Sequence, residues 1–385
     1  MPSAQAGETA HDTPIPLSRP STDAAELSAV AEVLESGWLA GQGPRAATLE
    51  AGFRELTGTG HAIAVNNCTA GLHLAIAALG AGPGDEVIVA DYSFPATGHA
   101  VLYTGATPVF VDVRPDTATL DPALVEGSIT SRTRGIVAVD ALGMPADWDD
   151  LEEIASRHGL FLVEDAACAA GASYAGRPCG SFGDVAAFSL HARKGITCGE
   201  GGIVTTNNAA LAAQARAAAC FGMRSAYLRQ DAAGLELPSF TALGYNYKLS
   251  DVLAAVAVVQ LGKLDRFTAR RRELADRYAV LLAGLPGVHA PVQPVDRLAV
   301  WQTYAVTLDA SLDRDAIAMG LRARGIGCNI GTYAMHREPI YASTVDCPVS
   351  LRLLQQHMAL PMFADLTEAE QDRVVDALAK VIAEQ

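Results

Sequence analysis

Between residues 60 and 207, short apolar and often β-branched runs recur: AIAV (62–65), EVIVA (86–90), PVFVDV (108–113), GIVAVDA (135–141), LFLVEDAA (160–167), VAAFSL (185–190) and GIVTT (202–206). Most segments between them carry helical patterning, as in GLHLAIAALG (71–80) and WDDLEEIASRHG (148–159). A strand that is apolar along its whole length is buried on both faces. Alternation with helices then predicts an α/β fold, with a mostly parallel sheet of seven strands covered by helices on both sides.

From about 249 the pattern LSDVLAAVAVVQLGKLDRFTARRRELADRYAVLLAGL predicts one long helix. Its first half (252–261) is apolar almost all round, which suits a core or a subunit interface. Its second half (263–277) reads as a solvated polar face. PGVHAPVQP (286–294) is a plausible linker to a smaller α+β unit, with a strand at WQTYAVTL (301–308) and helices near 314–324 and 367–383. The expected organisation is a loose tail at 1–14, a large domain at 15–262, and a small C-terminal domain at 263–385 that includes the long connecting helix.

Half of the 385 residues are hydrophobic and 18% are charged, which supports a substantial core. The net charge of −15, with no block of Lys or Arg, argues against a nucleic-acid groove or an anionic membrane surface. No apolar run is long enough to span a bilayer. The start, MPSAQAGETAHDTP, has neither a basic nor an apolar leader region. Seven cysteines without a CxxC pair argue against a disulfide framework or a zinc site, and a reducing cytoplasm is the expected compartment.

Ligands of open parallel sheets bind at the carboxyl ends of the strands, so residues that follow strands carry most information. NNCTAGLHL (66–74) runs from a strand end into a helix, where Thr69 and the amides of 69–71 offer an anion site or an ordinary N-cap. Glu164 and Asp165 close an apolar strand, and a carboxylate buried there needs a cationic or N–H partner. Phe94, in DYSFPAT (91–97), is placed to stack on a planar ring or to pack in a core. In FSLHARKGITCGEGG (188–202), Ser189 and Lys194 lie between two strands, with Lys194 29 residues after Asp165 (194 minus 165). A desolvated lysine loses its proton more easily and attacks carbonyls.

GAGPG (80–84) precedes a strand instead of following one, so it reads as a turn and not as a dinucleotide loop. The nine histidines form no HExxH and no close ligand cluster, so no catalytic metal is expected. Singly, each strand-end feature has an ordinary structural explanation. Together they list the needs of a pyridoxal phosphate (PLP) enzyme: a phosphate cup, a ring stacker, an acid for the ring nitrogen and a Schiff-base lysine.

These stretches resemble the DegT-like, sugar-type aminotransferases of the fold-type-I PLP enzymes. The resemblance runs through IPLSRP (15–20), ESGWLAGQGP (35–44), NNCTAGLHLAI (66–76), GPGDEVIVADYSFPAT (82–97), GATPVFVDV (105–113), the long block 163–207, LGYNYKLSDVLAAVAVVQLGKLD (243–265) and LPMFADLT (360–367). It implies that Lys194 carries PLP and moves the substrate proton, that Asp165 pairs with the pyridine nitrogen and that Phe94 stacks on the ring. Thr69, the Ala70 amide and Ser189 would hold the phosphate, with Cys68 beside them. Asn246 would reach that phosphate from a neighbouring subunit, which implies a homodimer. Trp38, Tyr333 and His336 would lie near the substrate. Cys168 stands where the family usually has Gln or His against the cofactor, and a thiol is a weak hydrogen-bond partner. Lys248 replaces a more common Arg, and Ala40 and Ala334 a hydroxyl residue and Pro.

The expected reaction is ping-pong transfer of an amino group from glutamate or glutamine to a ketosugar, with a nucleotide-linked 4-keto-6-deoxyhexose as the leading acceptor. One alternative keeps the scaffold but takes a cyclitol ketone or another biosynthetic carbonyl, with or without transamination. A more distant one is a non-catalytic ligand sensor.

Overall fold

The computed structural model describes residues 13–223 and 239–385. All but two residues of the expected N-terminal tail lie outside the described residues. The seven apolar runs form one sheet: β1 (His61–Val65), β2 (Glu86–Ala90), β3 (Thr107–Val111), β4 (Thr133–Val139), β5 (Phe161–Asp165), β6 (Val185–Ser189) and β7 (Gly202–Thr206). Their spatial order is β1-β7-β6-β5-β4-β2-β3. Strands β6-β5-β4-β2-β3 pair in parallel, and β7 pairs antiparallel with both β1 and β6. The mostly parallel α/β sheet is the one the sequence predicts.

Each strand divides its residues between two cores with a period of two. Val87 and Val89 of β2, Val137 of β4 and Val204 of β7 pack with the helices Cys68–Ala78 and Ala209–Ala219 on one face. Ile88, Ala90, Ile136, Ala138 and Ile203 pack on the other face, with helices Pro44–Thr57 and Trp148–His158. Burial on both faces is why these strands read as unbroken apolar runs instead of alternating ones. GAGPG is indeed a turn, in which the Asp85 carboxylate accepts from the Gly82 amide at 3.0 Å.

A second, antiparallel sheet is built from β8 (Val288–His289), β9 (Tyr304–Leu308), β10 (Asn329–Ile330) and β11 (His357–Leu360), in the order β8-β9-β11-β10. Helices Arg314–Ala323 and Glu368–Ala383 cover it, and its core gathers Ile15 with Leu274, Tyr278, Leu321, Phe363 and Leu378.

The expected single long helix is two, Asp251–Leu261 and Leu264–Leu282. Gly262 ends the first, and Lys263 turns to meet Asp23 at 3.0 Å and Glu26 at 2.6 Å. The second helix is not simply solvated. It buries Leu264 and Phe267 in the large core, Leu274 and Tyr278 in the small one, and Arg271 between them.

Candidate active site

The carboxyl ends of the parallel strands open into a cavity of about 700 Å³. Strand β5 delivers Asp165, β6 delivers Ser189, and the turn after β6 delivers Lys194. The connection after β1 delivers Cys68, Thr69 and Ala70, and the one after β2 delivers Ser93, Phe94 and Thr97. Cys168 and Tyr333 complete the predicted residues on the wall. Nine of the twelve predicted site residues thus meet in one cavity.

The other three do not line it. His336 is buried against Asp91, which accepts from its backbone amide and pairs with its Nδ1, both at 2.6 Å. That pair holds His336 within the wall. Asn246 is exposed and accepts from Lys248 Nζ, although its neighbour Tyr247 lines the cavity. Trp38 is partly exposed beside Gly43, on the loop that precedes helix Pro44–Thr57.

The helix Cys68–Ala78 is capped not by Thr69 but by Asn67, whose side chain accepts from the Ala70 amide at 2.8 Å. The Ala70 amide predicted for a phosphate is therefore already engaged. Among the described residues no bond engages the amides of Cys68 and Thr69 or the Thr69 hydroxyl. They sit at the positive end of the helix, with the Ser189 hydroxyl on the same cavity. Gly202 makes this approach possible: a Cβ there would lie 2.7 Å from Asn67 C and Cys68 N. The glycine-rich stretch after Lys194 is in this sense a cradle.

Asp165 is buried. Its Oδ2 accepts from Thr97 Oγ1 at 2.7 Å and its Oδ1 from the Ala167 amide at 3.1 Å. Burial lifts its pKa above the ordinary aspartate value, against the opposing pull of Thr97, the Ala167 amide and Lys194. Lys194 Nζ donates to Cys168 Sγ at 3.1 Å. Burial pulls the Lys194 ammonium down, but Cys168, Cys68 and Asp165 outweigh it and hold it above the usual lysine value. The expectation that desolvation alone would free the amine is corrected by those neighbours. The Cys68 thiol is pushed well up, by burial first and by Asp165 next.

Phe94 is exposed at the cavity edge and meets Tyr333 edge-on, with ring centroids 6.0 Å apart. The segment carrying Tyr333 is held by antiparallel pairing of Tyr333–Ala334 with Tyr92–Ser93.

A family model for the DegT/DnrJ/EryC1/StrS aminotransferases matches residues 20–379. The chain belongs to this family. The solved structure of the aminotransferase TlmJ from Streptoalloteichus hindustanus is 35% identical, with a TM-score of 0.90 over 96% of this chain and 99% of that one. DesV from S. venezuelae, solved in complex with a ketimine intermediate, is 38% identical, with a TM-score of 0.87 over 96% and 98%. Spr1654 from Streptococcus pneumoniae, assigned as a sugar aminotransferase and solved in its PLP form, is 26% identical, with a TM-score of 0.90 over 96% and 99%. This DegT-family chain is accordingly a PLP-dependent aminotransferase.

The cavity fits that cofactor. A free helix end with two hydroxyls suits the phosphate, a carboxylate suits the ring nitrogen, and an amine suits the aldehyde.

The sequence reading missed Thr97, Tyr247, Arg193 and Gln302 on the cavity. Gln302 donates to the Arg193 carbonyl at 2.9 Å and so ties the small unit to the turn before Lys194. Its neighbour Trp301 has a left-handed φ of 48°, and no local motif announces either feature. Thr97, by contrast, lies three residues after Phe94 in a stretch already singled out, so its nearness was signalled. Two donor groups, Asp91–His336–Cys347 and Asp140–Glu164–Cys179, are close enough to hold an ion. Hydrogen bonds occupy the carboxylates of Asp91, to His336, and of Glu164, to the amides of Gly180 and Phe182 at 2.7 and 3.0 Å, whereas Asp140, among the described residues, accepts only at Oδ1, from the Ala146 amide and Trp148 Nε1. Among the described residues no helix is long and apolar enough to cross a membrane.

Proposed function

We propose that this aminotransferase moves an amino group from glutamate or glutamine to a ketosugar, with a nucleotide-linked 4-keto-6-deoxyhexose as its acceptor. The observation that carries the reading is the shape and lining of the cavity beyond Lys194. At about 700 Å³ it holds more than a cofactor, within the range of small-molecule sites. Its further wall mixes Ser18, Asn329, Thr332 and Gln302 with Leu17, Leu142 and Ile330. Polar groups of that kind suit sugar hydroxyls, the apolar ones suit a deoxy carbon, and Arg193 at the same cavity suits a phosphate.

When bound, PLP supplies an aldehyde and an electron-withdrawing ring on which amino groups are exchanged. In this reading the Lys194 amine anchors it and then carries the substrate proton at Nζ in both halves of the reaction. Asp165 would pair with the ring nitrogen and keep it protonated. The Cys68 and Thr69 amides, with the Thr69 and Ser189 hydroxyls, grip the phosphate. Phe94 would cover one face of the ring, with Tyr333 beside it on the substrate side. Asn246 is exposed next to a cavity residue, which supports its contribution to the partner's site in a homodimer.

The test is to convert the enzyme to its amino form and offer it a panel of nucleotide-linked ketosugars and cyclitol ketones. The proposal expects PLP absorbance to return with a nucleotide-linked 4-keto-6-deoxyhexose. Return with a cyclitol ketone alone would contradict it.

A further inference from the structure

We propose that Thr97 is the positioning residue for Asp165, acting through a one-way hydroxyl chain that begins at Ser93 on the substrate wall. The inference rests on the reading of Asp165 as the partner of the ring nitrogen.

Thr97 Oγ1 lies 2.7 Å from Asp165 Oδ2, and Ser93 Oγ lies 2.9 Å from Thr97 Oγ1. All three side chains are buried, Thr97 at 1% exposure. A carboxylate has no proton to give and a hydroxyl has one. Thr97 must therefore donate to Asp165, its oxygen can only accept, and Ser93 must donate to Thr97. Both protons point the same way, toward the carboxylate.

This fixes what Asp165 can do. The Ala167 amide engages Oδ1 from the side of the chain that follows, and Thr97 engages Oδ2 from the connection after β2. Two bonds from different elements fix the carboxylate plane, and lone pairs remain for a donor in the cavity. The other titratable groups interacting with Asp165 are Lys194, from the turn after β6, and Cys68, from the helix after β1; Cys168, from the segment after β5, meets Lys194. Only Lys194 favours the ionised form. In a site where burial disfavours charge, the Thr97 proton is the strongest single counterweight.

Ser93 also pairs through its backbone with Tyr333, and Phe94 touches the Tyr333 ring. The stretch Ser93–Thr97 thus links the substrate wall to the acid of the cofactor site within five residues.

The experiment uses the whole chain and compares wild type with Thr97→Val, Thr97→Ser, Ser93→Ala and Asp165→Asn. Each is titrated with PLP and with the deaza analogue in which CH replaces the ring nitrogen, and the pH dependence of the bound PLP absorbance is recorded. Loss of a hydrogen bond to a charged group predicts PLP binding weaker by about ten- to a hundredfold in Thr97→Val. Thr97→Ser restores it, Ser93→Ala weakens it less, and binding of the deaza analogue is unchanged throughout. Wild-type PLP affinity and pH profile in Thr97→Val overturn the proposal, as does equal weakening toward both cofactors. Should Thr97→Val not fold, Ser93→Ala decides: a PLP-selective loss supports the chain, and none overturns it. If Asp165→Asn itself does not distinguish the two cofactors, the reading of Asp165 has failed instead.

Discussion

Substituting Gly202 by Ala adds one methyl group beneath the helix end that faces the cavity. The backbone φ of Gly202 is not in the left-handed region, so the change tests space alone. The new Cβ would stand 2.7 Å from Asn67 C and Cys68 N, where ordinary contact begins near 3.4 Å. The start of the helix must therefore retreat by about 0.7 Å (3.4 minus 2.7), and its atoms are backbone that cannot swing aside. Overpacking of this kind costs about 1–3 kcal/mol. With an unfolding entropy of about 0.8 kcal/mol per kelvin for 385 residues, Tm falls by roughly 1–4 °C. The effect on cofactor binding is larger. A retreat of about 0.7 Å carries an amide from about 2.9 Å to about 3.6 Å from a phosphate oxygen, beyond hydrogen-bond range. Losing even one charge-assisted bond raises the Kd for PLP about tenfold or more. Titration of the cofactor-free protein with PLP reads the Kd, and thermal unfolding reads the fold. Gly127→Ala, with nothing within 4 Å of the new methyl, is the control that changes neither. Wild-type affinity for PLP in Gly202→Ala would refute the placement of the phosphate at this helix end.

Cys168→Ala removes the 3.1 Å partner of Lys194 and leaves burial as the leading influence, so labelling of Lys194 by an amine reagent in the cofactor-free protein shifts to lower pH. An unshifted profile would contradict the assigned contact. Arg297 is almost fully buried, with bonds to Asp147 and the Pro145 carbonyl both at 2.8 Å. Arg297→Met removes the hydrogen-bonded partner of Asp147 and leaves it, among the described residues, only Arg114, whose Nε stands 3.7 Å away, so the change costs about 3–5 kcal/mol in denaturant unfolding; a loss below about 1 kcal/mol would be inconsistent with this pair. Asp140 is pushed up to about 6, by burial first, and it adjoins buried Glu164, whose pKa is also raised. A raised folded-state pKa means that the folded form holds the proton longer. This stabilisation is full below the unfolded value near 4 and disappears as pH rises through about 6. Asp140→Asn should thus gain stability relative to wild type between pH 4 and 7, by on the order of 3 kcal/mol; a pH-independent difference would contradict it.

The sheet was legible because strands buried on both faces carry few polar residues, most of them toward the strand ends, and strands β1–β7 coincide with the seven apolar runs. Lys194, Asp165, Ser189 and Phe94 were legible for a topological reason: each ends or follows a strand whose carboxyl end opens on the cavity. Interactions between distant segments were not. Asp91 takes His336 into the wall across 245 residues of chain, and nothing in TYAMH foretells it. Asn67 outcompetes Thr69 as the cap, although both residue types cap well and they stand two apart. The break at Gly262 brings Lys263 against Asp23 and Glu26, at the start of the helix Ala24–Ser36, so a continuous helical pattern concealed it. The central strand of the small sheet, His357–Leu360, follows directly on the helix Pro348–Gln356. Its identity comes from pairing on both edges, with Tyr304–Thr307 and with Asn329–Ile330.

Borohydride reduction of the PLP-loaded protein, followed by peptide mapping, tests the account most directly. The reduced pyridoxyl label is expected on Lys194, with none retained in Lys194→Ala. A label carried by Lys248, Lys263 or Lys380 would contradict it, because none of these lines the cavity that holds Asp165.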